Sequence, residues 1–214
     1  MNSGKIALIV MSFLLVGCQT TGNQTEFKWH VSNKIDPFDD SSKCQISTWN
    51  IKQGNSFAWR TANAIYPLVE IRKGEISIGL TRPPITIGNT KTFIPIGTAQ
   101  MRIDGMASWT IFPSETKIEG EIDNSYMQDL SKVMKGNPNI NQEAYAQMMK
   151  NTQMSAHQLM SPSTMASGSK AIAILDQMKS GTNLIFRQSS ANIKSDPNKI
   201  SLAGFGEALK KCGI

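Results

Sequence analysis

Short runs of alternating apolar and polar residues fill the first half of the chain, and they constrain the fold more than any other feature. The runs are FKWHV (27–31), QISTWNI (45–51), LVEIRKGEISIGL (68–80), ITIGNTKTFIPI (85–96) and TAQMRIDGMASWTIF (98–112). A period of two in segments rich in Ile, Val, Thr and aromatic residues is typical of strands with one buried face. At least five strands joined by tight turns predict a mainly β fold, an antiparallel β-sandwich or open barrel.

Glycine, aspartate and proline residues typical of turns and loops lie within and between these predicted strands. RKGE (72–75) places Gly74 in a hairpin turn, and the Asp104–Gly105 pair supplies the two positive φ angles that a two-residue hairpin turn requires. DPFDDSS (36–42) and TRPP (81–84) contain prolines, which a central strand excludes, so both segments are predicted as loops.

The second half of the chain changes to helical spacing. The predicted helices are SYMQDLSKVMKG (125–136), QEAYAQMMKNTQMSAHQLMSP up to Pro162, and ASGSKAIAILDQMKSG up to Gly181. TNLIFRQSS (182–190) returns as a strand, and SLAGFGEALKKCG (201–213) closes the chain as a helix. These patterns predict a single β-rich domain over 27–214 with a Met-rich helical insertion near 124–180 and a C-terminal helix.

Residues 1–17 have the features of a secretory signal peptide. Lys5 is followed by an apolar run from Ile6 to Val16, which is shorter than the roughly 20 residues a membrane-spanning helix needs. LVGC (15–18) resembles the lipobox of bacterial lipoprotein signal peptides. The resemblance implies cleavage before Cys18 and attachment of palmitate-type acyl chains to that residue, which would anchor the chain in a membrane.

The residues after Cys18 predict a tether and a location. Residues 18–26 are polar and lack periodicity, as suits a flexible lipidated tether. Position 19 is Gln rather than the Asp that typically retains lipoproteins at the inner membrane of enteric-type bacteria. We therefore expect a cell-envelope protein, lipid-anchored at the outer membrane and facing the periplasm.

The cysteine count and the charge distribution indicate which kinds of site the chain contains. With Cys18 lipidated, Cys44 and Cys212 remain as a pair in an oxidising compartment, and we predict a disulfide between them; the alternative is two unrelated buried thiols. The cysteines and two histidines show no zinc-ligand spacing, so no metal site or cofactor is predicted from them. The formal net charge of +6 is dispersed, without a basic stripe interleaved with aromatic residues, which argues against nucleic-acid binding.

Four segments carry a family resemblance: DPFDDSSKCQIS (36–47), QMRIDG (100–105), ILDQMKSGTNLIFR (174–187) and ISLAGFGEALKKC (200–212). In this order the chain resembles the invasion-associated locus B family of proteobacterial envelope proteins and, more loosely, type VI secretion accessory proteins. The resemblance implies an exported β-rich domain without assigned catalytic residues. It assigns structural roles in turns, a strand pair and a docked helix to Asp36, Pro37, Asp40, Cys44, Arg102, Asp104, Gly105, Gly181, Leu202, Gly204, Phe205, Ala208, Leu209 and Cys212.

Two short segments contain residue types that also occur in enzyme active sites. SGSK, Ser167 to Lys170, has the form S-x-x-K, and KSG follows at 179–181. In penicillin-interacting enzymes such elements frame one cleft, whereas here they lie at the two ends of one short predicted helix. Asp39 and Asp40 are paired carboxylates, but beside a proline they are more typical of a turn. No catalytic residues are predicted, and we expect a protein that is not an enzyme.

The Met/His segment 148–165 allows two interpretations. Met154, His157 and Met160 recur every three residues on the predicted helix, and thioethers with imidazole suit Cu(I), so periplasmic copper binding is the alternative function. The other interpretation is that Met149, Met154, Leu159 and Met160 fill an irregular core or a partner groove, with His157 at its edge. We predict a lipid-anchored, non-enzymatic binding or assembly factor with an envelope or secretion-system protein as partner. A role in host interaction, invasion or secretion is implied by the resemblance alone.

Overall fold

Two antiparallel sheets form the larger part of the regular structure in the described residues. The computed structural model describes residues 28–48, 64–87, 89–118, 141–190 and 193–214. The strands of the first sheet are β1 His30–Ile35, β2 Ser42–Ser47, β3 Tyr66–Arg72, β4 Glu75–Thr81 and β9 Ser163–Ser167. They pair in the order β1-β2-β3-β4-β9.

The second sheet is built around one long strand. Its members are β7 Thr98–Ile103, β8 Trp109–Ile111, β10 Asn183–Ser190, β11 Ile193–Lys194 and β12 Asn198–Ser201. β10 pairs with β7 on one side, β7 pairs with β8, and β11 and β12 pair with opposite ends of β10. A separate two-stranded ribbon is formed by β5 Ile85–Ile87 and β6 Thr90–Thr92.

The core lies between the inner faces of the two sheets. Alternate residues of β2, β3 and β4 point inward, as do alternate residues of β7 and β10. The fully buried inward side chains include Ile46, Val69, Ile78, Leu80, Met101, Ile103 and Leu184. This arrangement confirms the predicted mainly β, sandwich-type fold.

In the described residues, three α-helices and one 3-10 turn accompany the sheets. They are the turn Pro113–Glu115 and the helices α1 Gln142–Leu159, α2 Gly168–Ser180 and α3 Phe205–Lys211. α2 contacts β4, β9 and α3, and it buries Ile174, Leu175 and Met178, each worth about 2 kcal/mol of apolar burial. Among the described helices, none combines the length and the apolar character needed to cross a membrane.

The predicted C-terminal helix is present as α3. It begins after Gly204, whose positive φ of 79° suits glycine, and it buries Phe205 and Leu209. The Phe205 ring packs on Trp29, with ring centroids 4.9 Å apart. The Trp29 indole N–H donates to the Ser201 carbonyl at 3.2 Å, so α3 is held against the start of the first sheet.

The segment predicted as a helical insertion contains a strand. β9 lies between α1 and α2 and pairs with β4 through five residue pairs, so it is an integral part of the first sheet. The sequence patterns place Ser163–Met165 between two predicted helices and Ala166–Ser167 at the start of the second, all within the helical insertion, because a five-residue strand is too short to stand out beside two helices. The predicted helix over 125–136 lies outside the described residues.

The two predicted hairpin turns differ in outcome. Lys73 and Gly74 both take positive φ angles between the paired residues Arg72 and Glu75, which is the expected two-residue turn. At the second turn only Asp104 has a positive φ, and the connection from β7 to β8 is longer than two residues. The expectation of a positive φ pair at Asp104–Gly105 is therefore wrong.

Candidate binding groove

A groove of about 660 Å³ lies on the outer face of the first sheet, within the size range of ligand sites. Side chains alternate between the faces of a strand, so the neighbours of the inward-pointing Ile46 and Val69 point outward. We call this feature the sheet groove. Its floor is lined by Lys43, Gln45, Leu68, Glu70, Arg72, Ser77 and Met165.

Two segments form the walls of the sheet groove. One is the C-terminal end of α1, from His157 to Met160, and the other is residues 116–118 after the 3-10 turn. The Gln158 side-chain amide joins the walls by donating to the carbonyl oxygens of Ser114 at 2.9 Å and Thr116 at 3.0 Å. The Thr116 hydroxyl accepts the Met165 N–H at 3.0 Å, which attaches this wall to β9.

Charges of both signs line the sheet groove. Lys43 Nζ lies 2.9 Å from Glu70 Oε2, and both side chains are largely shielded from water. Lys117 forms an ion pair with Glu75 at the rim. Arg72 adds a third cation, so Lys and Arg outnumber Glu among the described lining residues. The lining of the sheet groove therefore carries more positive than negative charge.

The remaining lining combines hydroxyl groups with an apolar floor. The Ser163 hydroxyl donates to the Thr81 hydroxyl at 2.8 Å rather than to a histidine or a carboxylate. Leu68 and Met165 are almost fully buried at the floor, and Met160 stands exposed at the rim. The sheet groove therefore combines apolar contact area with fixed charges.

The predicted cysteine pair is joined in the structure. Cys44 on β2 and Cys212 at the end of α3 form a disulfide, with Cα atoms 5.7 Å apart and 168 residues between them in sequence. Cys44 lies on the inner face of the first sheet, so the bond fastens the last helix to the core. Cys18, the predicted lipidation site, lies outside the described residues.

The structure separates the three residues of the Met/His segment. All of Met154, His157 and Met160 are exposed at the C-terminal end of α1, but only His157 and Met160 line the sheet groove. In the described part of the chain, no three His, Cys, Asp or Glu side chains group as metal ligands. Copper binding through thioethers and one imidazole stays a prediction.

The S-x-x-K string has a structural use. Lys170 Nζ donates to the Thr110 carbonyl at 2.6 Å and to both Glu115 carboxylate oxygens at 2.7 and 2.9 Å. Ser167 immediately precedes α2, and Lys179 lies in its last turn, about 18 Å further along the helix axis. Lys170 thus ties α2 to the 3-10 turn, and Ser167 and Lys179 are not brought together.

The paired aspartates build the β1–β2 loop, residues 36–41. Asp39 Oδ1 accepts the Ser41 N–H at 3.0 Å, and Asp39 Oδ2 lies 3.0 Å from Lys73 Nζ. Hydrogen bonds from Ser41 and then from Lys73 lower the pKa of Asp39 well below its usual range. Asp40 takes a positive φ of 52°, which Asp tolerates better than most residues. Asp39 serves the turn through its carboxylate and Asp40 through its backbone conformation, as the sequence predicts.

Two features of the described chain escaped the sequence patterns. Phe38, in the β1–β2 loop, is 98% exposed. The sequence did not predict this exposure, because Pro37 and Asp39 on either side do not indicate which way the aromatic side chain points. Arg82 is only 4% exposed and donates to the Pro95 carbonyl at 3.3 Å and to the Gln188 side chain. Burial lowers the pKa of Arg82. A hydrophobicity pattern predicts that an arginine lies on the protein surface, because most arginines are exposed.

Residues of the family resemblance meet at one turn. The Asp104 carboxylate accepts the N–H groups of Thr182 at 2.8 Å and Asn183 at 2.9 Å, and these bonds lower the pKa of Asp104. A Cβ at Gly181 would lie 2.2 Å from the Ile103 side chain, so glycine is required there. The Arg102 guanidinium donates to the Gly105 carbonyl at 3.0 Å.

Comparison of the chain with protein-family models, with curated proteins and with solved structures gives no match. The roles of Asp104 and Gly181 are those of a turn and a close helix–strand contact, and they follow from the geometry alone. Membership of the invasion-associated locus B family therefore stays a prediction.

Proposed function

We propose that this chain is a lipid-anchored envelope protein that acts as a non-enzymatic binding or assembly factor, with α1 and the sheet groove as its contact surface. The observation that carries the proposal is the exposure of α1. Large apolar side chains on and just after this helix, Met148, Met154, Leu159 and Met160, stand in water, while its last turn forms a wall of the sheet groove.

Exposure of this kind favours contact with another protein. Methionine side chains are flexible and polarisable, so an exposed methionine-rich face adapts to an apolar partner surface. The groove beside it supplies fixed charges, which give orientation and specificity rather than raw affinity. An exported, anchored chain with such a surface would hold a partner at the membrane.

A photo-crosslinking residue at Ser155 tests the contact surface in living cells. Ser155 is exposed on α1 and lines a shallow apolar face with Met148 and Leu159. The matched control is the same residue at Lys199, exposed on β12 in the second sheet. The proposal expects a discrete protein adduct from position 155 and none from position 199. Equal adducts from both positions, or none from position 155, would contradict it.

Deletion of the whole Met-rich region is a poor test of the same idea. β9 lies within it and pairs with β4, so removing residues 137–168 would take a strand out of the first sheet. Surface substitutions on α1 leave the sheets intact and are the better choice.

The anchor and the alternative function have separate tests. Intact mass of the envelope form should show cleavage before Cys18 and added acyl chains, and Cys18→Ser should release the protein from membranes; an unprocessed mass contradicts the anchor. Copper binding requires Cu(I) affinity, measured against a competing chelator, that falls when His157 and Met154 are each replaced by Ala. Unchanged affinity removes that alternative.

A further inference from the structure

The methionine side chains of the described residues differ widely in their exposure. On α1 and at its C-terminal cap, Met148 is 54% exposed and Met160 is 68% exposed, and Met154 between them also stands in water. In the core, by contrast, Met101 and Met178 are each 1% exposed. A reagent dissolved in water therefore reaches the methionines of α1 and is kept from those of the core.

These exposed thioethers are the oxidisable sulfur groups of the described residues. A free thiolate is the usual first target of an oxidant, but Cys44 and Cys212, the two cysteines of the described chain, are joined in a disulfide. A two-electron oxidant therefore meets thioethers, and its product there is methionine sulfoxide. In the oxidising envelope compartment that the proposed function requires, the reducing thiols of a cytosol are absent.

Hypochlorous acid is an oxidant of this class. The thioether sulfur attacks its chlorine, and hydroxide leaves. Water then adds to the chlorosulfonium sulfur, chloride and two protons leave, and an S=O bond remains. The sulfur has lost two electrons, the chlorine has gained two, and the net products are one sulfoxide, one chloride ion and one proton. The reaction converts a flexible apolar side chain into a polar one.

The fold tolerates a sulfoxide on α1 and excludes one from the core. The Gln158 side chain holds the C-terminal end of α1 to the carbonyl oxygens of Ser114 and Thr116, and a thioether takes no part in these bonds. The oxygen of a sulfoxide at the exposed Met148 is hydrated, so it costs the folded state little. At the buried Met178 the same oxygen would enter an apolar core without a hydrogen-bond donor.

We propose that Met148, Met154 and Met160 form an oxidation site, at which hypochlorous acid or a chemically related oxidant converts thioethers into sulfoxides while the fold stays intact. The inference rests on the proposed function in one respect, since the same side chains supply apolar area to the contact surface. A partner that buries a sulfoxide removes its oxygen from water, and this opposes association. Oxidation of α1 therefore releases the partner.

Peptide mapping by mass spectrometry tests the oxidation site in the folded, full-length chain. The protein is treated with graded amounts of hypochlorous acid, and sulfoxide is measured at each position. Met148 and Met160 should be oxidised at least about tenfold faster than Met101 and Met178, because a buried methionine reacts only after local opening. In urea-unfolded protein, the control, all four should react at similar rates. Equal rates in the folded chain overturn the proposal.

A leucine variant separates oxidation of α1 from the other effects of the oxidant. In a chain with Met148→Leu, Met154→Leu and Met160→Leu, the side chains stay apolar and of similar volume but accept no oxygen. With the crosslinker at Ser155, hypochlorous acid should lower the adduct yield of the unsubstituted chain by at least about tenfold. The yield of the leucine variant should stay within about twofold. An equal fall in both chains overturns the proposal.

Failure of the binding function and failure of the oxidation site give different results. The absence of an adduct in untreated cells contradicts the binding function, and with it the release of a partner. An adduct that persists after full oxidation of Met148 and Met160 overturns the inference and leaves the binding function standing. Loss of the urea unfolding transition at the dose that oxidises Met148 also overturns it, because the fold would then not have stayed intact.

Discussion

α1 and α2 are successive helices that differ in how far their apolar side chains are buried. α2 buries Ile174, Leu175 and Met178 against the first sheet, whereas α1 leaves Met148 and Leu159 in water and is attached near its last turn. Both segments show helical periodicity with apolar residues. The difference teaches that periodicity predicts a helix, while the surface available for packing decides whether the apolar residues of that helix become buried or stay exposed.

The same contrast appears around the β1–β2 loop. α3 is packed on Trp29 and joined to β2 by the disulfide at Cys44, close to this loop. The loop itself is held by hydrogen bonds but presents Phe38 to water. Buried and exposed apolar side chains thus lie close together along β2 and the loop that precedes it.

The largest expected effect is at the disulfide. Replacing Cys44 and Cys212 by Ser should lower the free energy of unfolding by about 5 kcal/mol, because the bond closes a loop of 168 residues. Urea unfolding with and without reductant measures this. If the free energy of unfolding fell by less than about 1 kcal/mol, attachment of α3 to β2 would contribute little to the stability of the fold.

Matched leucine substitutions compare the two helices directly. Leu175→Ala in α2, where the side chain is 2% exposed, should cost about 3 kcal/mol by loss of burial and creation of a cavity. Leu159→Ala in α1, where the side chain is 58% exposed, should change the free energy of unfolding by less than about 0.5 kcal/mol. Similar losses in both variants would break the distinction between the helices.

Two arginines extend the comparison to polar contacts. Arg82→Ala should cost about 2 kcal/mol, because the buried acceptors on Pro95 and Gln188 lose their donor. Arg102→Ala removes similar bonds to backbone carbonyls at an exposed site, where water replaces the donor, and should cost under about 1 kcal/mol. Chemical denaturation of both variants gives the difference, and equal costs would contradict it.

The smallest effect is the pH response of the β1–β2 loop. The pKa of Asp39 is lowered in the folded chain, so the folded state binds this proton less readily than the unfolded state does. The stabilisation that the Asp39 carboxylate gives the folded state is therefore present above about pH 4, the usual pKa of Asp. It is lost progressively as the pH falls below that value. Tm of wild type and Asp39→Asn should converge between pH 4 and pH 2. A constant difference would remove the role of the carboxylate.

Local sequence rules predicted much of the architecture. Alternation around Val69 and Ile78, and the Lys73–Gly74 turn, predicted the β3–β4 hairpin because one face of each strand is buried. The Cys44–Cys212 pairing was predicted from the cysteine count together with the expected oxidising compartment. The strand β9 was missed, since five residues between two helices carry too little periodicity to show that β4 supplies their partner.

The candidate site was less predictable than the fold. The sheet groove depends on which residues of β2, β3 and β9 become neighbours, and only tertiary pairing decides that. The exposure of Phe38 and the burial of Arg82 run against the average behaviour of their residue types. His157 and Met160 were selected from their spacing, but their place at the groove wall came from the fold.

The central claim is that α1 serves contact rather than stability. The most direct test measures adduct yield from the crosslinker at Ser155, together with the free energy of unfolding, in a chain carrying Met148→Ser and Leu159→Ser. The account predicts that the yield falls by at least about tenfold, while the free energy of unfolding changes by less than about 0.5 kcal/mol. An unchanged yield, or a loss of stability above about 2 kcal/mol, would contradict it.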